Sequence, residues 1–188
     1  LFERATVVAV GPGLGQSEWS KVLFKKVMDS GLPMVMDADA LNLLAERPSE
    51  LPNAILTPHP KEAARMLGAS AVSRDRLEVL RALQDRYQSV VVLKGAATLV
   101  HDGKRALINQ TGAPAMATAG MGDALTGCIA GLVAQGLALG QAAAQGVAHH
   151  GRAGEWASAD LGEVAVLASD VIARLGRSFR GDAYAPFP

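Results

Sequence analysis

One cysteine, Cys128, is all that the 188 residues contain, so no internal disulfide can form and a reducing, cytoplasmic location is expected. An excess of charge is missing too: 18 Lys and Arg balance 18 Asp and Glu, with no long run of either sign. This argues against a nucleic-acid or anionic-membrane binder, and any charge on a ligand must be met locally. Although 49% of the residues are hydrophobic, no uninterrupted apolar stretch approaches the ~20 residues of a membrane span, and the first residues lack a signal-peptide pattern. A soluble protein is expected. No linker, repeat or low-complexity tract divides the chain, whose length suits a single domain, 1–188, with a core of its own.

What the sequence does contain is an alternation of short β-branched runs and helical patterns. "ATVVAV" (5–10) ends at Gly11, and "SEWSKVLFKKVMDSG" (17–31) sets Trp19, Val22, Leu23, Val27 and Met28 at helical spacing between a capping Ser17 and a terminating Gly31. "LPMVMDAD" (32–39) and "NAILTPH" (53–59) repeat this plan, each run leading into a helical segment. "SRDRLEVLRALQDRY" (73–87) reads as an amphipathic helix, and "SVVVLKG" (89–95) as a strand covered on both faces. In "ATLVHDGKRALINQ" (97–110), Asp102-Gly103 joins two runs and predicts a hairpin. From Gly122 to Leu175 only helices are expected. The fold class is therefore α/β, a mostly parallel central sheet with an antiparallel hairpin at one edge.

Ligands of open parallel sheets bind at the carboxyl ends of the strands, which singles out the loops. "GPGLGQS" (11–17) has three glycines that either approach a ligand closely or serve a sharp turn. "DADALN" (37–42) sets Asp37 and Asp39 on one side if the chain stays extended; they would hold a hydrated cation, or Asp39 would cap a helix beginning near Ala40. His59, between two prolines and ahead of Glu62, is a cap or a fixed functional imidazole. His101, His149 and His150 lack such a setting and read as structural or solvated. Lys94, before Gly95 and two alanines, is a phosphate partner or a strand-end lysine reaching water. "ATAGMGDALTGCIAGL" (117–132) is the strongest signal: Gly120 and Gly122 open a helix whose free N–H groups make an anion site. Asp123 there either completes the helix as a cap or acts as a base beside a bound phosphate.

These stretches stand in an order that resembles the ribokinase-like superfamily, and specifically the carboxy-terminal domain of the YjeF family, the ADP- or ATP-dependent NAD(P)H-hydrate dehydratases. The resemblance runs from about Ala5 to about Leu175 and rests on "GPGLG", "DADALN", "TPHPKE", "VLKGAAT" and "TGAPAMATAGMGDALTG". It implies a three-layer α/β/α fold and dehydration of NADHX or NADPHX to NADH or NADPH, driven by ADP with release of AMP and phosphate. It implies Asp123 as the base, Lys94, Gly95, Ala96, Ala97, Thr98, Ala119, Gly120 and Gly122 on the nucleotide side, and Gly13, Gly15 and His59 on the hydrate side. Asp37 and Asn42 would support the cleft. Magnesium would accompany the nucleotide without a protein ligand set of its own. A homotetramer is the expected assembly, and an epimerase domain is expected upstream or as a separate protein. Family domains begin with another strand and a glycine-rich segment, which these residues are expected to lack. The chain also departs from the usual motif, with Ala113, Ala115, Ala119 and Met121 in "GAPAMATAGMGD" and Lys61 in "HPKE". The alternatives are a superfamily kinase of hydroxymethylpyrimidine or hydroxyethylthiazole type, or a nucleotide-binding module with impaired catalysis.

Overall fold

The computed structural model describes residues 2–69 and 73–180. Short runs of branched and sulfur-bearing apolar residues form β1 (Val8–Val10), β2 (Met34–Met36), β3 (Ala54–Leu56) and β4 (Val90–Leu93), which pair in parallel in chain order. β5 (Leu99–His101) turns back on β4, and β6 (Ala106–Ile108) turns back on β5, so the hairpin closes the sheet as an antiparallel edge. His101 lies beside the hairpin turn and accepts the Gly103 N–H at 3.2 Å, a structural role as read from its setting.

Alternation along the strands feeds two cores. Met34, Met36, Leu56, Val91 and Leu93 face one layer, made by α1 (Glu18–Met28), α2 (Ala38–Glu46), α3 (Pro60–Leu67) and α4 (Arg76–Tyr87). Val35, Ile55, Val90 and Val92 face the other, where α5 (Met121–Ala134) and α6 (Leu139–Leu161) pack. Burial on both faces is why these strands read as continuous apolar runs rather than alternating ones. The result is the three-layer α/β/α arrangement. A third cluster, with Met121, Ala153, Ala157 and Val171, joins α5 and α6 to α7 (Ala168–Phe179).

One local expectation changes. Ser17 does cap α1, accepting the Ser20 N–H at 3.2 Å, but Trp19 and Val22 from its apolar stripe are exposed, 67% and 56%, on the helix that follows the outermost strand β1. No helix among the described residues is long and apolar enough to cross a membrane. The parallel order gathers the carboxyl ends of β1 to β4 at one edge of the sheet, so loops far apart in sequence meet there.

Candidate functional site

Beside those strand ends lies a cavity of about 800 Å³. One wall is the loop after β4, Lys94, Gly95, Ala96, Ala97 and Thr98; a second is formed by Ala119 and Gly122 at the start of α5, and His59 lies at a third side. Every residue assigned to the nucleotide side from the sequence lines this cavity except Gly120. Gly120 instead shapes the entry: it occupies the N-cap of α5 at φ +81°, a conformation that favours glycine. The first hydrogen bond of the helix is Ala124 N–H to Gly120 O at 3.0 Å, so the N–H groups of Met121, Gly122 and Asp123 are left for another acceptor, with the positive end of the helix dipole behind them. Free donors at such a helix end suit an anionic group.

Asp123 is therefore not the cap. It sits in the first turn, one residue beyond the cavity-lining Gly122, exposed, and with no hydrogen bond or ion pair among the described residues. Asp37 is its opposite. Its carboxylate, 1% exposed, accepts from Lys94 Nζ at 2.5 Å and from the Thr126 hydroxyl at 3.1 Å, tying β2, the loop after β4 and α5 together. Lys94 lines the cavity with its ammonium paired to Asp37 and 4.0 Å from Glu62. A Cβ on residue 122 would stand 3.2 Å from both Asp37 Oδ2 and Lys94 Nζ, which explains the glycine between the two aspartate-bearing elements.

The extended run expected for residues 37–39 is broken at Ala38, whose φ is +48°, so the two carboxylates diverge. Asp39 neither caps a helix nor pairs with Asp37. It accepts the Gly15 N–H at 2.8 Å and anchors the glycine loop after β1, while α2 already begins at Ala38. At the other end of that loop, a Cβ on residue 11 would lie 1.7 Å from the Asp37 carbonyl oxygen, a close approach only glycine permits. Gly13 and Gly15 lie outside the cavity lining, and Asn42 is engaged by Arg65 between α2 and α3.

His59 is a cap. Its Nδ1 accepts the N–H groups of Lys61 (3.0 Å) and Glu62 (3.3 Å), and the Glu62 carboxylate returns a bond to the His59 N–H at 2.7 Å. With Nδ1 engaged as an acceptor, a neutral ring carries its proton on Nε2, and the half-exposed ring still borders the cavity.

The far wall escaped the sequence reading. Residues 109–114 and Met116 form it by docking on α6: Thr111 donates to the Ala148 carbonyl at 3.0 Å, and Gly112 N–H donates to Glu155 at 2.9 Å. Gly151 and Gly154 of α6 leave room for Thr111 and Met116, which a Cβ would meet at 2.2 Å in each case. This pair of small residues three apart was the signal available. His150, also in this wall, is 6% exposed rather than solvated, its Nε2 has no partner, and burial pushes its pKa down to about 4, opposed by the Met121 backbone.

Comparison with known proteins gives this geometry its family. The family model described as NAD(P)H-hydrate dehydratase matches residues 1–177. The chain belongs to that family. It is 51% identical over 178 residues to the bifunctional NAD(P)H-hydrate repair enzyme Nnr of Coxiella burnetii, covering 93% of this chain and 36% of the relative, and 46% identical over 179 residues to that of Escherichia coli, covering 94% and 35%. The chain therefore spans about a third of the length of the curated relatives it matches. The fold matches the ADP/ATP-dependent NAD(P)H-hydrate dehydratase of Bacillus subtilis co-crystallised with ATP and Mg²⁺, with a TM-score of 0.82 and 32% identity over 93% of this chain and 64% of that one. Within this dehydratase family the departures at Ala115 and Met121 have a packing explanation. Both are buried in the cluster between α5, α6 and α7, where Met121 fills a small core while also lining the cavity.

Proposed function

We propose that this chain restores hydrated NADH or NADPH by a nucleotide-driven dehydration, with ADP or ATP in the 800 Å³ cavity and the hydrate at its mouth. The observation that carries this reading is the pairing, at one helix start, of cavity-lining Gly122 with an exposed and unengaged Asp123. Backbone donors at the start of α5 receive the terminal phosphate. Asp123 takes the proton of the hydrate hydroxyl as its oxygen bonds to that phosphorus, and the shortened nucleotide leaves. Phosphate then departs from the substrate carbon with loss of a proton, forming the double bond. Gly13, Gly15 and His59 are assigned to the hydrate, with the glycine loop held by Asp39.

Magnesium carried by the nucleotide phosphates would neutralise their charge. A homotetramer in the cytoplasm, and an epimerase activity supplied by another part of a longer protein or by a separate one, complete the proposal. The test is recovery of the near-ultraviolet absorbance of the reduced nicotinamide from purified NADHX, with magnesium and either ADP or ATP. The expected outcome is nucleotide-dependent recovery that falls ~100-fold or more in Asp123→Asn. Phosphorylation of hydroxymethylpyrimidine or hydroxyethylthiazole with no recovery from NADHX would overturn it in favour of a kinase.

A further inference from the structure

Four carbonyls at the end of β4 and in the loop after it converge on one side chain. Arg76, in the first turn of α4 and outside the cavity lining, directs Nη2 to the carbonyls of Leu93 (3.1 Å) and Lys94 (3.4 Å), and Nη1 to those of Ala96 and Ala97, the latter at 3.3 Å. Its Nε is buried without a partner, so the guanidinium is committed to this loop alone. All peptide bonds among the described residues are trans, and in a trans peptide the N–H points opposite to the C=O. The carbonyls of Lys94 and Ala96 thus aim the N–H groups of Gly95 and Ala97 away from Arg76, and neither N–H has a hydrogen-bond partner among the described residues. Ala97 is also held at φ +50°, where alanine rarely sits, and it lines the cavity.

We propose that Arg76 is the positioning residue of the nucleotide wall: by collecting the carbonyls of Leu93, Lys94, Ala96 and Ala97 it fixes the strained loop so that Gly95 and Ala97 present two backbone donors to the nucleotide. This rests on the cavity being the nucleotide site. A planar fork serves four carbonyls at once, which an ammonium cannot, so lysine is not an equivalent here.

The experiment measures ADP and ATP binding by calorimetry, and the KM of nucleotide and hydrate with kcat, for the wild type, Arg76→Lys and Arg76→Ala, alongside the melting temperature. Arg76→Ala is expected to weaken nucleotide binding and raise nucleotide KM by about tenfold, with Arg76→Lys intermediate at about threefold, while the KM for hydrate stays within twofold. Arg76→Lys keeps the test valid where the alanine variant melts early. Wild-type affinity in a folded Arg76→Ala, or an equal rise in both KM values, overturns the positioning role. Absence of nucleotide binding by the wild type overturns the cavity assignment, and this inference with it.

Discussion

Two aspartates border the start of α5 and differ in every physical respect. Asp37 is buried and spends its carboxylate on Lys94 and Thr126; Asp123 is exposed and spends nothing. A group that must take up a proton during a reaction needs a free lone pair and access to the substrate, whereas one that neutralises a neighbouring ammonium has neither. The contrast teaches that at this site burial and ion pairing mark the scaffold, and the carboxylate proposed as the base is the one without partners.

The sharpest way to break that contrast is to remove each carboxylate and read stability. Asp37→Ala leaves Lys94 without its counter-charge in a largely buried setting, with an expected loss of about 3 kcal/mol in urea unfolding at neutral pH. Asp123→Ala, lacking any contact to lose, should stay within about 0.5 kcal/mol of the wild type. Comparable losses for the two variants would mean that Asp123 also supports the fold and that the distinction is wrong.

His150 adds a third situation, buried and unpartnered, and sharpens the comparison through pH. Its folded pKa of about 4 lies below the usual 6.5, so the unfolded chain takes up a proton first as the solution is acidified. The stability contributed by the neutral ring is complete above pH 6.5 and is lost as pH falls from there towards 4, by up to ~3 kcal/mol. Urea midpoints measured across that window should fall for the wild type and flatten in His150→Gln. Parallel slopes would show that other groups carry the acid sensitivity.

Much of this arrangement was legible from the sequence because the strand-forming runs end in the residues that matter. Parallel pairing brings strand ends together without further instruction, so "TPHP" and "VLKGAAT" reach one cavity, which Ala119 and Gly122 join from the start of α5. The links between them were not legible, since Asp37 meets Lys94 across 57 residues and Thr126 across 89, and no local pattern encodes such pairings. Nor does "DAD" announce that Ala38 adopts a positive φ, the one feature that sends Asp37 inward and Asp39 towards Gly15. The caps show the same limit: His59 was recognisable as one, while Asp123 lost that role to Gly120 because a left-handed N-cap needs no side chain.

Gly122→Ala probes the boundary between scaffold and reactive group, since residue 122 touches both. The added methyl would stand 3.2 Å from Asp37 Oδ2 and Lys94 Nζ, tighter than ordinary contact but against side-chain ends that can shift. The helical gain from alanine offsets part of that strain, so stability should change by no more than about 1 kcal/mol. Nucleotide affinity, measured by calorimetry, should fall more clearly, by about tenfold, because the methyl enters the cavity wall beside the helix-start donors.

The smallest effect is expected at Asp39, whose carboxylate holds only the Gly15 N–H of the loop assigned to the hydrate. Asp39→Asn keeps an acceptor oxygen in place but removes the charge that strengthens the bond, a loss of about 0.5–1 kcal/mol. Because Gly15 lies outside the cavity proposed for the nucleotide, the change should raise the KM for hydrate about threefold and leave nucleotide binding unchanged. It is the mirror of the Gly122 substitution, which should act on the nucleotide and spare the hydrate. If both variants shifted both constants together, the two loops would form one binding surface, and the division of the site between the walls of the cavity and its mouth would have to be abandoned.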